Sequence, residues 1–132
     1  MALQALYQWL MAGHALADIE VQYGEANEIT KVDGVYFSRM LHGVVDNLTV
    51  IEQHFETFLD RPKQSLGPIE LTILRLCTYE LLFVPEIPYR VVLDESVSLA
   101  RAFGAQEGHR YVNGVLNNVA RRVRSIEIEG EQ

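Results

Sequence analysis

At 132 residues and 15.0 kDa, with 48% hydrophobic and 22% charged residues and a mean hydropathy of +0.03, the chain has the composition of one compact domain. No apolar run approaches the length of a membrane span, and no basic stretch precedes the first apolar residues, so neither a span nor a secretory signal is expected. The net charge of −7 argues against indiscriminate binding to nucleic acid. It leaves room for a local basic face: residues 1–66 carry four basic side chains against nine acids, whereas residues 67–126 carry seven arginines against six acids. Cys77 is the single cysteine, so no intramolecular disulfide is available and a reducing, cytoplasmic setting is expected.

Hydrophobic periodicity is helical almost throughout. Leu3, Leu6, Tyr7 and Leu10 form a stripe that starts at Met1 with no capping residue ahead of it. Residues 17–23 read as a short second helix. From Val35 the pairs Tyr36/Phe37, Met40/Leu41 and Val44/Val45, then Leu48, mark an amphipathic helix with Asp33 as its expected N-cap. Thr49 and Glu52 have capping-box spacing, which predicts a new helix burying Ile51, Phe55, Phe58 and Leu59.

Pro62 and the Ser65-Leu66-Gly67-Pro68 stretch break the pattern, and Pro68 suits the first turn of a helix over 69–84. There Ile69, Ile73, Leu74, Leu76, Cys77, Leu81 and Val84 share a wide apolar arc, with Thr72, Arg75 and Tyr79 opposite. Such an arc predicts a central helix. Pro85 and Pro88 separate it from a helix with Val92, Leu93, Leu99, Ala100 and Phe103 inward and Asp94, Glu95, Ser98 and Arg101 outward, ending at Gly104. A last helix starts near His109, with Val112, Val115, Leu116, Val119 and Val123 on one stripe and Asn113, Asn117, Arg121 and Arg124 on another. The domain is expected to span 1–125, followed by an acidic, frayed tail at 126–132.

Motifs for catalysis are missing from the sequence: GxGxxG, the phosphate-binding GxxxxGK, HExxH, GxSxG and CxxC do not occur. His14, His42, His54 and His109 lack metal-ligand spacing to one another or to Cys77. The chain is therefore not read as an enzyme, and neither a metal nor a cofactor is expected. Glu80 falls within the apolar arc of the central helix, where a carboxylate must be paired, so it reads as an internal bracket between helices. His109-Arg110-Tyr111 places a basic head beside a stacking ring at a helix start, the parts that single-stranded RNA recognition uses; a tyrosine tucked against its neighbour is the plainer alternative. Gly114 inside that helix costs about 1 kcal/mol relative to alanine, which calls for close packing or close approach of a partner. Arg121, Arg122 and Arg124 read either as an RNA-facing patch or as cations favoured at a helix C-terminus.

Several blocks together resemble the NusB family of bacterial transcription antitermination factors along nearly the whole chain. They are Ala5-Leu6-Tyr7-Gln8-Trp9, Tyr36-Phe37 with Leu41-His42-Gly43-Val44, Leu74-Arg75-Leu76 with Tyr79-Glu80-Leu81, and Ile87-Pro88-Tyr89-Arg90-Val91. Glu95-Ser96-Val97, Ala100-Arg101-Ala102-Phe103-Gly104 and His109-Arg110-Tyr111-Val112-Asn113-Gly114-Val115-Leu116 continue the series. The resemblance implies an all-α fold of about seven helices in two packed bundles and no catalysis. It also implies binding of boxA RNA from ribosomal-operon leaders, together with the small-subunit ribosomal protein that acts as NusE, in a larger complex with NusA, NusG and RNA polymerase. Carried over by position, Gln4, Tyr7, Arg75, Arg110 and Tyr111 are expected at the RNA, and Glu70 and Glu107 at the partner, with Glu107 able to tune RNA affinity through its charge. Relatives can be monomers or homodimers. The family carries a short arginine-rich arm ahead of the first helix, and this sequence begins where that arm would end. The competing expectation is an adaptor of the same fold that engages the ribosomal protein without appreciable RNA binding.

Overall fold

A computed structural model describes residues 31–103 and 108–130. Six α-helices and one 3-10 turn lie among them, with no strand, so the chain is all-α. It divides into two compact units between Asn47 and Leu48.

In the first unit the described element is α1 (Lys31–Asp46), whose Phe37, Met40, Leu41 and Val44 are buried at the spacing of one helical stripe. Tyr36, read with Phe37 as part of the stripe, stays 43% exposed. The helix starts two residues ahead of Asp33, which is its third residue and not its N-cap. Asn47 closes it, its side-chain amide and backbone N–H both donating to Gly43 O, at 2.8 and 3.1 Å.

The second unit begins with α2 (Leu48–Glu56), where Ile51 and Phe55 are buried as expected. Thr49 lies inside this helix and not at its cap, because Glu52 turns inward: its carboxylate receives Lys63 Nζ at 2.7 Å and Arg75 Nη2 at 3.4 Å. Phe58 and Leu59 lie in the turn after the helix and are only half-buried. Pro62 then leads into a 3-10 turn (Lys63–Ser65), with Ser65 N and Oγ both donating to Pro62 O.

Gly67 and Pro68 start α3 (Pro68–Phe83) as the proline position foretold. Every residue from Thr72 to Leu81 is buried, including Thr72, Arg75 and Tyr79, which periodicity placed on the outer side. The cause is tertiary: α2, α4 (Tyr89–Ala102) and α5 (Gly108–Val123) all pack against this one helix. Cys77 is fully buried there, and burial pushes its thiol well above the usual range, as befits a core residue.

On α4, Val92, Leu93 and Ala100 are buried, joined by Tyr89 and Ser96, while Leu99 and Phe103 are half-buried. Glu95, expected outside, is half-buried too; burial raises its pKa, and its carboxyl hydrogen-bonds to that of Glu80. Glu80 is 1% exposed and its carboxyl meets that of Glu95 where α3 packs on α4. On α5 the stripe Val112, Val115, Leu116 and Val119 is buried, with Ala120 beside it.

Two expectations fail at the end of the chain. Residues 125–130 form a further helix, α6 (Ser125–Gly130), where a frayed tail was expected. Arg124, read as a surface cation, is buried and closes the C-terminal end of α3. Its guanidinium donates to Leu81 O, Ile87 O, Glu80 O and Val84 O at 2.8 to 3.2 Å, and to Glu127 Oε2 at 2.9 Å. Glu127 also receives the Tyr89 N–H, satisfying an orphan amide at the start of α4. One ion pair thus fastens α6 to the end of one helix and the beginning of another.

Candidate nucleic-acid interface

The opposite end of α3 faces a different arrangement. Its N-terminus, the proline-bounded loop before it and the first turn of α5 enclose a cleft of about 280 Å³, lined by Arg61, Ser65, Leu66, Gly67, Glu70, Gly108 and Tyr111. A second groove of about 400 Å³ continues over Glu56, Leu59, Pro62, Lys63 and Gln64, and Arg61 borders both. Two glycines make the cleft possible. The Glu70 carboxylate folds back over Gly67, and a Cβ placed on Gly108 would stand 2.7 Å from Glu70 Oε1, so a side chain at either position would displace it.

Tyr111 is held by the loop and not by its own helix. Its hydroxyl donates to Asp60 Oδ1 at 2.9 Å and accepts from Asp60 N–H at 3.2 Å. The Arg61 guanidinium lies over its ring, 4.5 Å from the centroid, and binds Asp60 through Nε at 2.8 Å and Nη2 at 3.4 Å. Asp60, Arg61 and Tyr111 therefore form a closed triangle in which each member touches the other two. Hydrogen bonds from Arg61, then Tyr111, hold the Asp60 carboxyl below its usual range; burial raises Tyr111. A second cation–aromatic contact ties the same loop to α5, with Arg122 4.8 Å from the Phe58 ring centroid. The two contacts have opposite sense: the loop lends a cation to the helix's aromatic ring, and the helix lends one back.

The expected site residues distribute unevenly. Tyr111 and Glu70 line the cleft together, and Arg110 is exposed in the same helical turn as Tyr111, with no ion pair among the described residues. Arg75 is elsewhere: 8% exposed and bound to Glu52, it reaches neither cleft nor solvent. Gln4, Tyr7 and Glu107 lie outside the described residues. Arg121 and Arg122 are exposed, whereas Arg124 is spent internally. Gly114 has no atom within 4 Å of an added Cβ, so close packing among the described residues does not explain it. Asp60, Arg61 and Lys63 were not anticipated; the available signal was a pair of cations flanking a proline in a loop, Arg61-Pro62-Lys63. Lys63 bridges Glu52 and Glu56, at 2.7 and 3.0 Å, and those carboxylates raise its pKa. Among the described residues no group of three or more histidine, cysteine or acidic side chains is placed to hold a metal ion, and no helix is long and apolar enough to cross a membrane.

Fold and cleft together define a small all-helical protein that offers a cation–aromatic surface beside a helix start. The family model described as NusB family matches residues 1–121. The Transcription antitermination protein NusB of Legionella pneumophila (strain Corby) is 56% identical over 127 residues, 96% of this chain and 86% of that one. That of Pseudomonas savastanoi pv. phaseolicola is 48% identical over the full 132 residues and 80% of its own length. Among solved structures, T. maritima NusB superposes with a TM-score of 0.82 at 28% identity, covering 91% of this chain and 85% of that one. A structure of the antitermination factors NusB and NusE with double-stranded RNA shares the fold, with a TM-score of 0.84 at 24% identity over 92% and 91% of the two chains. The chain belongs to the NusB family.

Proposed function

We propose that this protein is a transcription antitermination factor that binds boxA RNA of ribosomal-operon leader transcripts together with a NusE-type ribosomal protein, and that RNA meets it at the cleft beside Tyr111. The observation that carries this reading is the exposed Arg110 next to a tyrosine whose hydroxyl and ring are fixed by Asp60 and Arg61. A fixed aromatic face suits an unstacked base, and an exposed guanidinium suits a phosphate. Glu70, in the same cleft, and Glu107 are the acidic groups for the protein partner. Gln4 and Tyr7 extend the RNA surface by family position, and Arg75 serves from behind by orienting Glu52, which in turn holds Lys63. The open space over Gly114 leaves room on α5 for a partner to approach its backbone closely. NusA, NusG and RNA polymerase complete the assembly in this reading. Support comes from the antitermination names of the relatives and from the neighbouring NusB and NusE structure that contains RNA.

The test is a fluorescence anisotropy titration of labelled boxA RNA, with and without the NusE-type protein, at two salt concentrations. Partner-enhanced, salt-dependent binding is expected. Tyr111→Ala should weaken it by about 1–3 kcal/mol, the worth of one base–aromatic stack. Arg110→Glu should also weaken it and flatten the salt dependence by about one phosphate contact. Binding of the NusE-type protein without any response to RNA would favour the adaptor reading, which the engagement of Arg61, Lys63 and Arg75 by carboxylates supports.

A further inference from the structure

The triangle of Asp60, Arg61 and Tyr111 is shut against the ligand that the cleft is proposed to take. An RNA base stacking on the Tyr111 face that Arg61 covers needs the guanidinium removed, because a ring-to-cation distance of 4.5 Å leaves no room for an inserted base. Stacked bases are spaced by about 3.4 Å, so a base between the two would require about 7 Å. What keeps Arg61 in place is the Asp60 carboxylate, gripped through two guanidinium nitrogens. The same carboxylate receives the Tyr111 hydroxyl, so it sets the position of the ring as well.

Resting on the reading above, we infer that Asp60 is an internal competitor for RNA phosphate. In the free protein it holds Arg61 over Tyr111; on binding, Arg61 exchanges the carboxylate for a phosphate of the RNA backbone and bares the ring for a base. The exchange matches like with like, since the guanidinium fork that grips a carboxylate through two N–H groups grips a phosphate in the same way. It is also energetically shallow. Both side chains are more than half exposed, 51% for Arg61 and 67% for Asp60, and an ion pair in that setting is weak enough to be replaced. The neighbouring Lys63 differs: it is half-buried and shared by two carboxylates, so it stays where it is and walls the adjoining groove. Arg61 is thus the movable cation of the cleft and Asp60 the residue that sets how readily it moves. The arrangement keeps the cation from binding anions indiscriminately and makes its release depend on a ligand that supplies phosphate and base together.

The experiment measures boxA RNA affinity, in the presence of the NusE-type protein, for the full chain and the variants Asp60→Asn, Arg61→Ala, Tyr111→Ala and the double variant Asp60→Asn/Arg61→Ala. Asp60→Asn should tighten binding by about two- to five-fold, the upper part of the range of an exposed ion pair. The tightening should vanish when Arg61 is absent, because the gain comes through that side chain. A gain that persists in the Arg61→Ala background would show that Asp60 merely repels phosphate, and would overturn the exchange. Unchanged or weaker binding by Asp60→Asn would overturn it too, the latter outcome assigning Asp60 to the bound state as a support for Tyr111. Failure of the functional reading itself looks different: wild-type protein that ignores RNA, or Tyr111→Ala and Arg61→Ala variants that bind as tightly as wild type. Melting curves within a degree of wild type for Asp60→Asn and Arg61→Ala confirm that the affinities report the exchange and not the fold.

Discussion

Arg124 and Arg61 sit at opposite ends of the same helix, α3, and carry the same group into different physics. Arg124 is 8% exposed and donates to four backbone carbonyls and one carboxylate; Glu80 O and Val84 O also accept backbone N–H groups, whereas Leu81 O and Ile87 O, where α3 stops, receive the guanidinium. Arg61 stands in solvent on a proline-bounded loop, touching one carboxylate and one ring. A buried guanidinium cannot leave without stripping Leu81 O and Ile87 O of their donor, whereas one that shares a wet ion pair can. Burial and the nature of the acceptors, not residue type, separate the arginine that builds this fold from the one available to a ligand.

That contrast can be broken most forcefully at Arg124. Arg124→Ala should cost about 3–5 kcal/mol, since it strands buried acceptors and an inward carboxylate together. In a thermal melt this corresponds to a fall of about 10 °C or more. Arg124→Lys should recover little, because an ammonium has three donors and no fork. A melting temperature within a few degrees of wild type would mean that water replaces the guanidinium at little cost. Next comes Glu80→Ala, which removes one half of the carboxyl pair joining α3 to α4 and should destabilise by about 1–3 kcal/mol; an unchanged melt would refute the internal bracket.

At the other end of α3, Arg61→Ala should change stability by less than about 0.5 kcal/mol, the ordinary effect of a surface substitution. A larger loss would bring the two arginines closer in kind. The smallest effect is the response to pH. Asp60 is lowered from its usual 3.8 by Arg61 and Tyr111, so its ion pair is intact above that value and is lost as pH falls through the lower folded value. Carbonyls do not titrate, and the backbone bonds of Arg124 should survive the same acidification. Guanidinium Nε–H resonances followed by NMR should show Arg61 responding first. Glu95 has the opposite sign: its raised pKa contributes stability below 4.5 that fades as pH rises through the folded value, and Glu95→Gln should flatten that limb of a melt-versus-pH series.

The start of α3 was plain in the chain itself, because Gly67-Pro68 fixes a helix start through backbone geometry alone. The start of α2 was displaced from the capping-box position because Glu52, the would-be cap, has a stronger use in meeting Lys63 and Arg75. Tyr111 and Glu70 emerged from family resemblance as site residues, and the structure places them in one cleft. The Asp60 to Tyr111 contact spans 51 positions, so no local pattern encodes it. Arg75 and Arg124 escaped for a related reason. Periodicity sorts a helix into an inner and an outer face, and it fails where neighbours cover the helix on all sides or where the next element folds back over its end.

Taken alone, the sequence determined the all-α class, the helices around α3, the core placement of Cys77 and, through its ordered blocks, membership of the NusB family. Those properties rest on local geometry, hydrophobic spacing and cumulative identity, which the linear chain carries in full. Tertiary structure decided which arginines are internal: Arg75 and Arg124 are drawn inside by partners far along the chain, while Arg61 remains at the surface above Tyr111. A charge has no inside or outside until the fold supplies its acceptors, and that is why arginines equal on paper end as a helix clasp, a buried support and an exchangeable cation.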